Sequence, residues 1–230
     1  MRIAALVAAA LLALPALASA YASLQLSPRS VALDGTHRVG QIVMNSLDAR
    51  DLIFDLEAVA WTQRGDADSF TPTGDLTIAP SVFDVQPFRR VLVRFGARAN
   101  RDASTERAFQ IRFREVLASG SRDTARTLTA AVFLAPAQPH GEARYTLGRA
   151  GEHAAKLTVD NQANAHVYLG AIRIESGGQE VYSGSLDAYV LAANSRSFAI
   201  TLAHPLASGE AQLTIESAEN SATTVDVSVQ

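Results

Sequence analysis

Residues 78–115 read IAPSVFDVQPFRRVLVRFGARANRDASTERAFQIRFRE, and the periodicity inside this stretch decides the fold. Val91, Val93 and Phe95 alternate with Leu92 and Arg94. Phe109, Ile111 and Phe113 alternate with Gln110, Arg112 and Arg114. Successive side chains of a strand point to opposite faces, so a period of two buries one face and wets the other. Each run is therefore expected to be a half-buried antiparallel strand, and the polar, turn-forming link between them separates the two.

The same grammar extends outward. Leu24–Leu26, Val31–Leu33, Gly40–Met44 and Leu52–Trp61 come first, punctuated by Asp34-Gly35, Asn45-Ser46 and Arg64-Gly65-Asp66. Leu76–Ile78, Val82–Val85 and Thr127–Leu134 complete the first half. The second half offers Ala155–Val159, His166–Ile174, Glu180–Tyr182, Ser197–Leu202, Gln212–Ile215 and Thr224–Val229, with turns at Gly177-Gly178 and Asn194-Ser195. Beyond the N-terminal segment no window carries an i, i+3, i+4 apolar stripe. Short strands with regular turn signals predict an all-β fold of sandwiches.

A composition break at Ala135–Ala143, APAQPHGEA, contains Pro and Gly and no large apolar side chain, as a linker would. It divides the chain into an N-terminal domain over 21–136, a linker over 137–142 and a C-terminal domain over 143–230. The halves do not align as a repeat.

The first 20 residues read as an export signal. Met1-Arg2 is a positive start, Ile3–Leu17 is an Ala/Leu-rich run, and Ala18-Ser19-Ala20 is an A-x-A cleavage site. Tyr21 is the expected first mature residue, with Ala20-Tyr21-Ala22 as a second acceptable cut. The run falls short of the roughly 20 residues of a spanning helix, so no membrane insertion of the mature protein is expected. An exported chain with no cysteine must draw its stability from core burial rather than disulfides. A net charge of −3 with scattered cations points away from nucleic acid.

Enzyme chemistry is not assembled. The five histidines, His37, His140, His153, His166 and His204, have no H-x-x-x-H spacing, and without cysteine no metal site is expected. No G-x-S-x-G, S-x-x-K or phosphate-cradling glycine loop is present. Asp66, Asp68 and Asp75 lack an ordered calcium-loop spacing and read as solvated turns. Trp61 closes an alternating run and reads as core. No catalytic residue and no cofactor is expected.

The order of Pro80, Phe83, Val85 and Pro87, then V-x-V-R-F at Val91–Phe95, then E-R-x-F-x-I-x-F-R-E-V at Glu106–Val116 resembles the periplasmic pilus-assembly chaperones of the chaperone–usher pathway. Asn45-Ser46 leading to Trp61, Leu157–Asn161, His166–Leu169 and Tyr189–Leu191 extend the likeness over nearly the whole mature chain. The resemblance implies two immunoglobulin-like sandwiches in a boomerang arrangement, a periplasmic location and a non-enzymatic role. Its partners would be pilin-like subunits that lack a strand and an outer-membrane usher that receives them. The chaperone lends the last strand of its first domain to complete the subunit, a mode of strand addition. A self-capped dimer through that strand is a further arrangement such an edge permits.

On this resemblance the lending segment is Thr124–Leu134, and the face offered to the subunit is Leu128, Ala130, Val132 and Leu134. The family anchors the subunit's terminal carboxylate with an arginine and a lysine. This chain departs from that pattern, with Ser30 and Ala131 at those places. Arg29, one residue away, and Arg126 are the nearest substitutes. Arg94 and Glu106 fit positions of a structural ion pair near the domain junction. Their usual partner across the linker falls near Ala135, so a looser interdomain orientation is expected. The alternative reading is a two-sandwich structural or binding module that has lost the pilin client.

Overall fold

The computed structural model describes residues 23–98, 104–216 and 222–229. The expected signal over 1–20 lies outside the described residues. In the first half the strands are β1 (Leu24–Ser27), β2 (Ser30–Leu33), β3 (Val39–Ser46), β4 (Leu52–Arg64), β5 (Ala67–Pro72), β6 (Leu76–Ala79), β7 (Val82–Val85), β8 (Arg90–Ala97), β9 (Arg107–Glu115) and β10 (Thr127–Leu134). In the second they are β11 (Ala143–Gly151), β12 (Ala154–Asn161), β13 (Val167–Ser176), β14 (Gln179–Val190), β15 (Ser195–Thr201), β16 (Glu210–Glu216) and β17 (Ala222–Ser228). Among the described residues there is no helix.

The first sandwich stacks a four-stranded sheet, β1-β3-β8-β6, on a six-stranded one, β2-β10-β9-β4-β5 with β7 also paired to β4. The two runs of the 78–115 stretch thus lie in opposite sheets. Val93 and Phe95 on β8 meet Phe109, Ile111 and Phe113 on β9 in one core, together with Ile42, Met44 and Phe54. Each such side chain contributes roughly 1.5–3 kcal/mol when fully buried, which answers the lack of cross-links. The second sandwich packs β11-β12-β15 on β14-β13-β16-β17 around Leu157, Leu169, Ile172, Ile174 and Leu213. Gly177 and Gly178, both at positive φ, close the β13–β14 hairpin. The two immunoglobulin-like sandwiches form a boomerang with a cleft between them.

Their junction is densely bonded. Gln63, near the end of β4, accepts the Leu191 N–H at 2.8 Å through Oε1 and donates Nε2 to the Tyr189 carbonyl at 3.0 Å. The Gly65 N–H donates to Asn194 Oδ1, Asn194 Nδ2 donates back to the Gly65 carbonyl, and the Ser197 N–H donates to Asp66. On the other side, buried Asn164 donates to the carbonyls of Ser104 and Gln138 and accepts from the His140 N–H. A separate apolar cluster of Trp61, Ala108, Ala131, Phe133 and Leu191 fills the space between. The looser orientation expected from Ala135 is therefore not found. Each such bond contributes about 0.5–1.5 kcal/mol net, and together they tie the two sandwiches at several points along the seam.

Candidate functional site

β10 is built asymmetrically. It pairs antiparallel with β9 along its full length, Thr127–Leu134 opposite Arg114–Arg107. On its other side β2 runs parallel and covers only Ala131–Leu134, which face Ser30–Leu33. The Ala131 N–H donates to the Arg29 carbonyl and the Ala135 N–H to the Leu33 carbonyl. Main-chain groups of alternate residues point to the same side of a strand, so those of Thr127 and Thr129 also point outward. No described strand covers them.

The faces of β10 differ from the sequence expectation. Ala130, Val132 and Leu134 are buried in the first sandwich's own core, with Leu128 packed beside them. The face expected to fill a partner is already spent at home, because one side of any sandwich strand must close its own core. The side chains that look toward the second sandwich are Thr129, Ala131 and Phe133, which line the cleft.

Arg126 is likewise placed elsewhere. Its Nε and Nη2 donate to the two carboxylate oxygens of Glu115 at 2.7 and 2.9 Å, and Nη1 donates to Asp48 and to Ser23, each at 3.0 Å. The two side chains of the Arg126–Glu115 pair are only 9% and 4% exposed. Hydrogen bonds from Arg126 hold the Glu115 carboxyl below its ordinary range. Bonds from Arg50 first, then Arg126, pull Asp48 down to about 2. A doubly bonded, shielded guanidinium is committed to the fold and does not replace the absent anchor lysine.

Arg29 stands in the turn between β1 and β2, with Ser30 opening β2 directly opposite Ala131. Its Nη1 lies 3.5 Å from Asp187 Oδ2 across the cleft, and the two side chains are 81% and 58% exposed. Asp187 Oδ1 accepts the Tyr168 hydroxyl at 2.7 Å. Burial first, and this bond second, push the Tyr168 phenol up to about 12. The cleft encloses about 1270 Å3. Phe133 and the His166 ring stack at 3.6 Å between centroids, with Tyr189 tilted against Phe133 at 5.1 Å.

Arg94 and Glu106 are not partners. Arg94 lies exposed on β8 in the four-stranded sheet, while Glu106 precedes β9 at the junction. Glu106 instead accepts the His166 backbone N–H at 2.9 Å, and His166 Nδ1 lies 2.8 Å from the same oxygen. His166 bears no metal-ligand spacing in sequence, so nothing there marks it as the junction partner. Gln63 carries no sequence signal at all. The three aspartates read as solvated turns are bonded: Asp68 to Trp61 Nε1 at 2.8 Å, Asp66 to Ser197, and Asp75 to Arg107. Among the described residues no His, Cys, Asp and Glu cluster could hold a metal ion.

No family profile matches the chain, and no curated protein matches it. Solved structures do. A chain of the CsuC–CsuE chaperone–tip adhesion subunit pre-assembly complex from archaic Csu pili of Acinetobacter baumannii is 12% identical, with a TM-score of 0.63 over 90% of this chain and 99% of that one. The E. coli chaperone DraB is 14% identical, with a TM-score of 0.59 over 90% and 97%. A chain of the Salmonella enterica SafA pilin–SafB chaperone complex is 12% identical, with a TM-score of 0.59 over 90% and 96%. The likeness carried by residues 78–115 is thus borne out in three dimensions, and the chain has the two-sandwich fold of the chaperone–usher pilus chaperones.

Proposed function

We propose that this chain is a periplasmic, non-enzymatic chaperone that lends the open edge of β10 to pilin-like sandwiches lacking a strand and passes them to an outer-membrane usher. The observation that carries the reading is the step on β10. Thr127–Ala130 extend beyond β2 with outward main-chain groups that no described strand pairs, and Arg29 stands where the step ends. A strand laid along the step in the direction of β2 would run its C-terminal end into Arg29, whose guanidinium suits a carboxylate. The fold likeness supports the reading, since the neighbours include chaperones in complex with a pilin and with a tip subunit.

The open edge is short. At about 0.5–1.5 kcal/mol net per backbone bond, the groups of Thr127 and Thr129 alone give weak binding. Contact with the cleft-facing Thr129, Ala131 and Phe133 has to add to it. A second copy pairing at the same edge would give the self-capped dimer and would compete with the client.

The test is co-expression with a strand-lacking sandwich subunit followed by pull-down. Thr129→Pro deletes an outward N–H while leaving the ladder to β9 intact, a place where an edge tolerates proline. Co-purification is expected to disappear while the circular dichroism spectrum is kept. Undiminished capture by Thr129→Pro removes edge lending. A two-sandwich binding module without a pilin client is the second reading, favoured by Ser30 and Ala131, which leave this part of the cleft with a single arginine.

A further inference from the structure

We propose that Asp187 is an internal stand-in for an incoming carboxylate: it occupies Arg29 across the mouth of the cleft and so determines what that arginine can bind. The ligand class, a peptide's terminal carboxylate, rests on the strand-lending reading above; the Arg29–Asp187 contact does not.

Both arginines lining the cleft face an aspartate. Arg196 lies 3.4 Å from Asp68, and Arg29 lies 3.5 Å from Asp187. The two acids are held very differently. Asp68 also accepts Trp61 Nε1 at 2.8 Å and Gln63 Nε2 at 2.9 Å, so it is part of the junction. Asp187 is more than half exposed and is steadied by the Tyr168 hydroxyl. Of the two, Asp187 is the acid that can leave its arginine without opening the seam.

The backbone aims it there. The β13–β14 register shifts between Leu169 and Ala171, where the partners pass from Ala188 to Ser185, so Leu186 and Asp187 form a bulge. Asp187 itself has φ 45, a left-handed conformation that aspartate and asparagine accept better than most residues. Bulges of this kind re-aim a side chain off the sheet. Here the bulge carries a carboxylate from the second sandwich to the arginine at the end of the open edge on the first.

A side-chain carboxylate and a peptide's terminal carboxylate are the same ligand to a guanidinium. Binding at Arg29 is therefore an exchange, not an addition. A ligand ending in an amide has nothing to exchange. Because the resident pair is solvent-exposed, the handicap it imposes is modest, roughly two- to five-fold in affinity.

The experiment compares the full chain with Asp187→Asn, which keeps the left-handed backbone and an acceptor for Tyr168 but loses the charge. Arg29 modification by phenylglyoxal is followed by peptide mass mapping, with Arg94 as an exposed reference. Binding is followed by fluorescence anisotropy for a short alternating Val/Thr peptide with a free C-terminal carboxylate, and for its amide. Asp187→Asn is expected to speed Arg29 modification, to tighten the carboxylate peptide by about two- to five-fold and to leave the amide unchanged. Arg29→Gln is expected to erase the difference between the two peptides. Equal Arg29 reactivity in both proteins overturns the proposal, as does a carboxylate peptide bound equally by both. Faster Arg29 modification with no binding of either peptide supports the stand-in and counts against strand lending.

Discussion

Glu106 and His166 bond twice across the domain junction: the His166 backbone N–H and Nδ1 both reach Glu106 Oε1, at 2.9 and 2.8 Å. The Glu106 side chain is only 5% exposed, so it depends on these donors. His166→Ala removes one of them and strips the stacked ring from Phe133. The expected cost is about 1.5–3 kcal/mol in urea unfolding, the range for a bond to a charged group. Arg94→Ala, far from Glu106 and exposed, should change stability by less than about 0.5 kcal/mol. A large effect at Arg94 with a small one at His166 would reinstate the pair that the sequence suggested.

Gln63 serves both sides of the seam with one amide, accepting from Leu191 and donating to Tyr189 and Asp68. Gln63→Ala leaves the Leu191 N–H without its acceptor, a loss of about 1–3 kcal/mol. Small-angle scattering should show a larger radius of gyration as the sandwiches part. An unchanged radius and an unchanged midpoint would show that Gln63 is not what holds the angle.

Removing one member of a shielded ion pair strands the other. Arg126→Met leaves Glu115 uncompensated, and a loss of about 3–5 kcal/mol is expected. The pair also fixes an acid response. Arg126 lowers the folded-state pKa of Glu115, and Arg50 with Arg126 lowers that of Asp48 to about 2. The unfolded chain therefore takes up protons first as pH falls. The stability these groups contribute is complete above the ordinary carboxylate range and is lost as pH drops toward about 2. Melting temperatures between about pH 5 and pH 2 should fall more gently in Arg126→Met than in the parent. Equal slopes would separate Glu115 from the acid transition.

The two faces of β10 should respond oppositely to a charge. Val132 is fully buried, so Val132→Asp places an unpaired charge in the core and should cost about 4 kcal/mol or more. Thr129 is exposed, and Thr129→Asp should stay within about 0.5 kcal/mol by circular dichroism melting. The reverse pattern would return Leu128, Ala130, Val132 and Leu134 to the binding face.

Strand existence was legible wherever alternation coincided with burial on one side. β4, β8 and β9 announce themselves because their apolar set faces a core and their polar set faces water. β5, β11 and most of β14 do not, and all three are edge strands. ADSFTP and ARYTLGRAG carry few large apolar residues, as edges do, and β14 is interrupted by Ser, Gly and the bulge at Asp187.

At the candidate site the sequence located β10 but inverted its faces. Ala130-Ala131-Val132-Phe133-Leu134 is an unbroken apolar run, because alternate residues fill the sandwich core and the junction cluster. Periodicity cannot say which parity is which when both are apolar. The junction partners were illegible for a different reason. Glu106–His166 and Gln63–Leu191 join residues 60 and 128 positions apart, and no local pattern encodes such meetings.

Trp61 is the single tryptophan of the chain, and it lies in the seam, with Tyr189 edge-on at 5.8 Å and Asp68 accepting its indole N–H. Nature has thereby installed one optical reporter, and placed it where neither lobe's interior can contaminate its emission. A shift in indole fluorescence that precedes any decay of the far-ultraviolet signal would register the hinge yielding while both lobes remain intact. Ligands that wedge the hinge apart could be followed the same way, with no label attached.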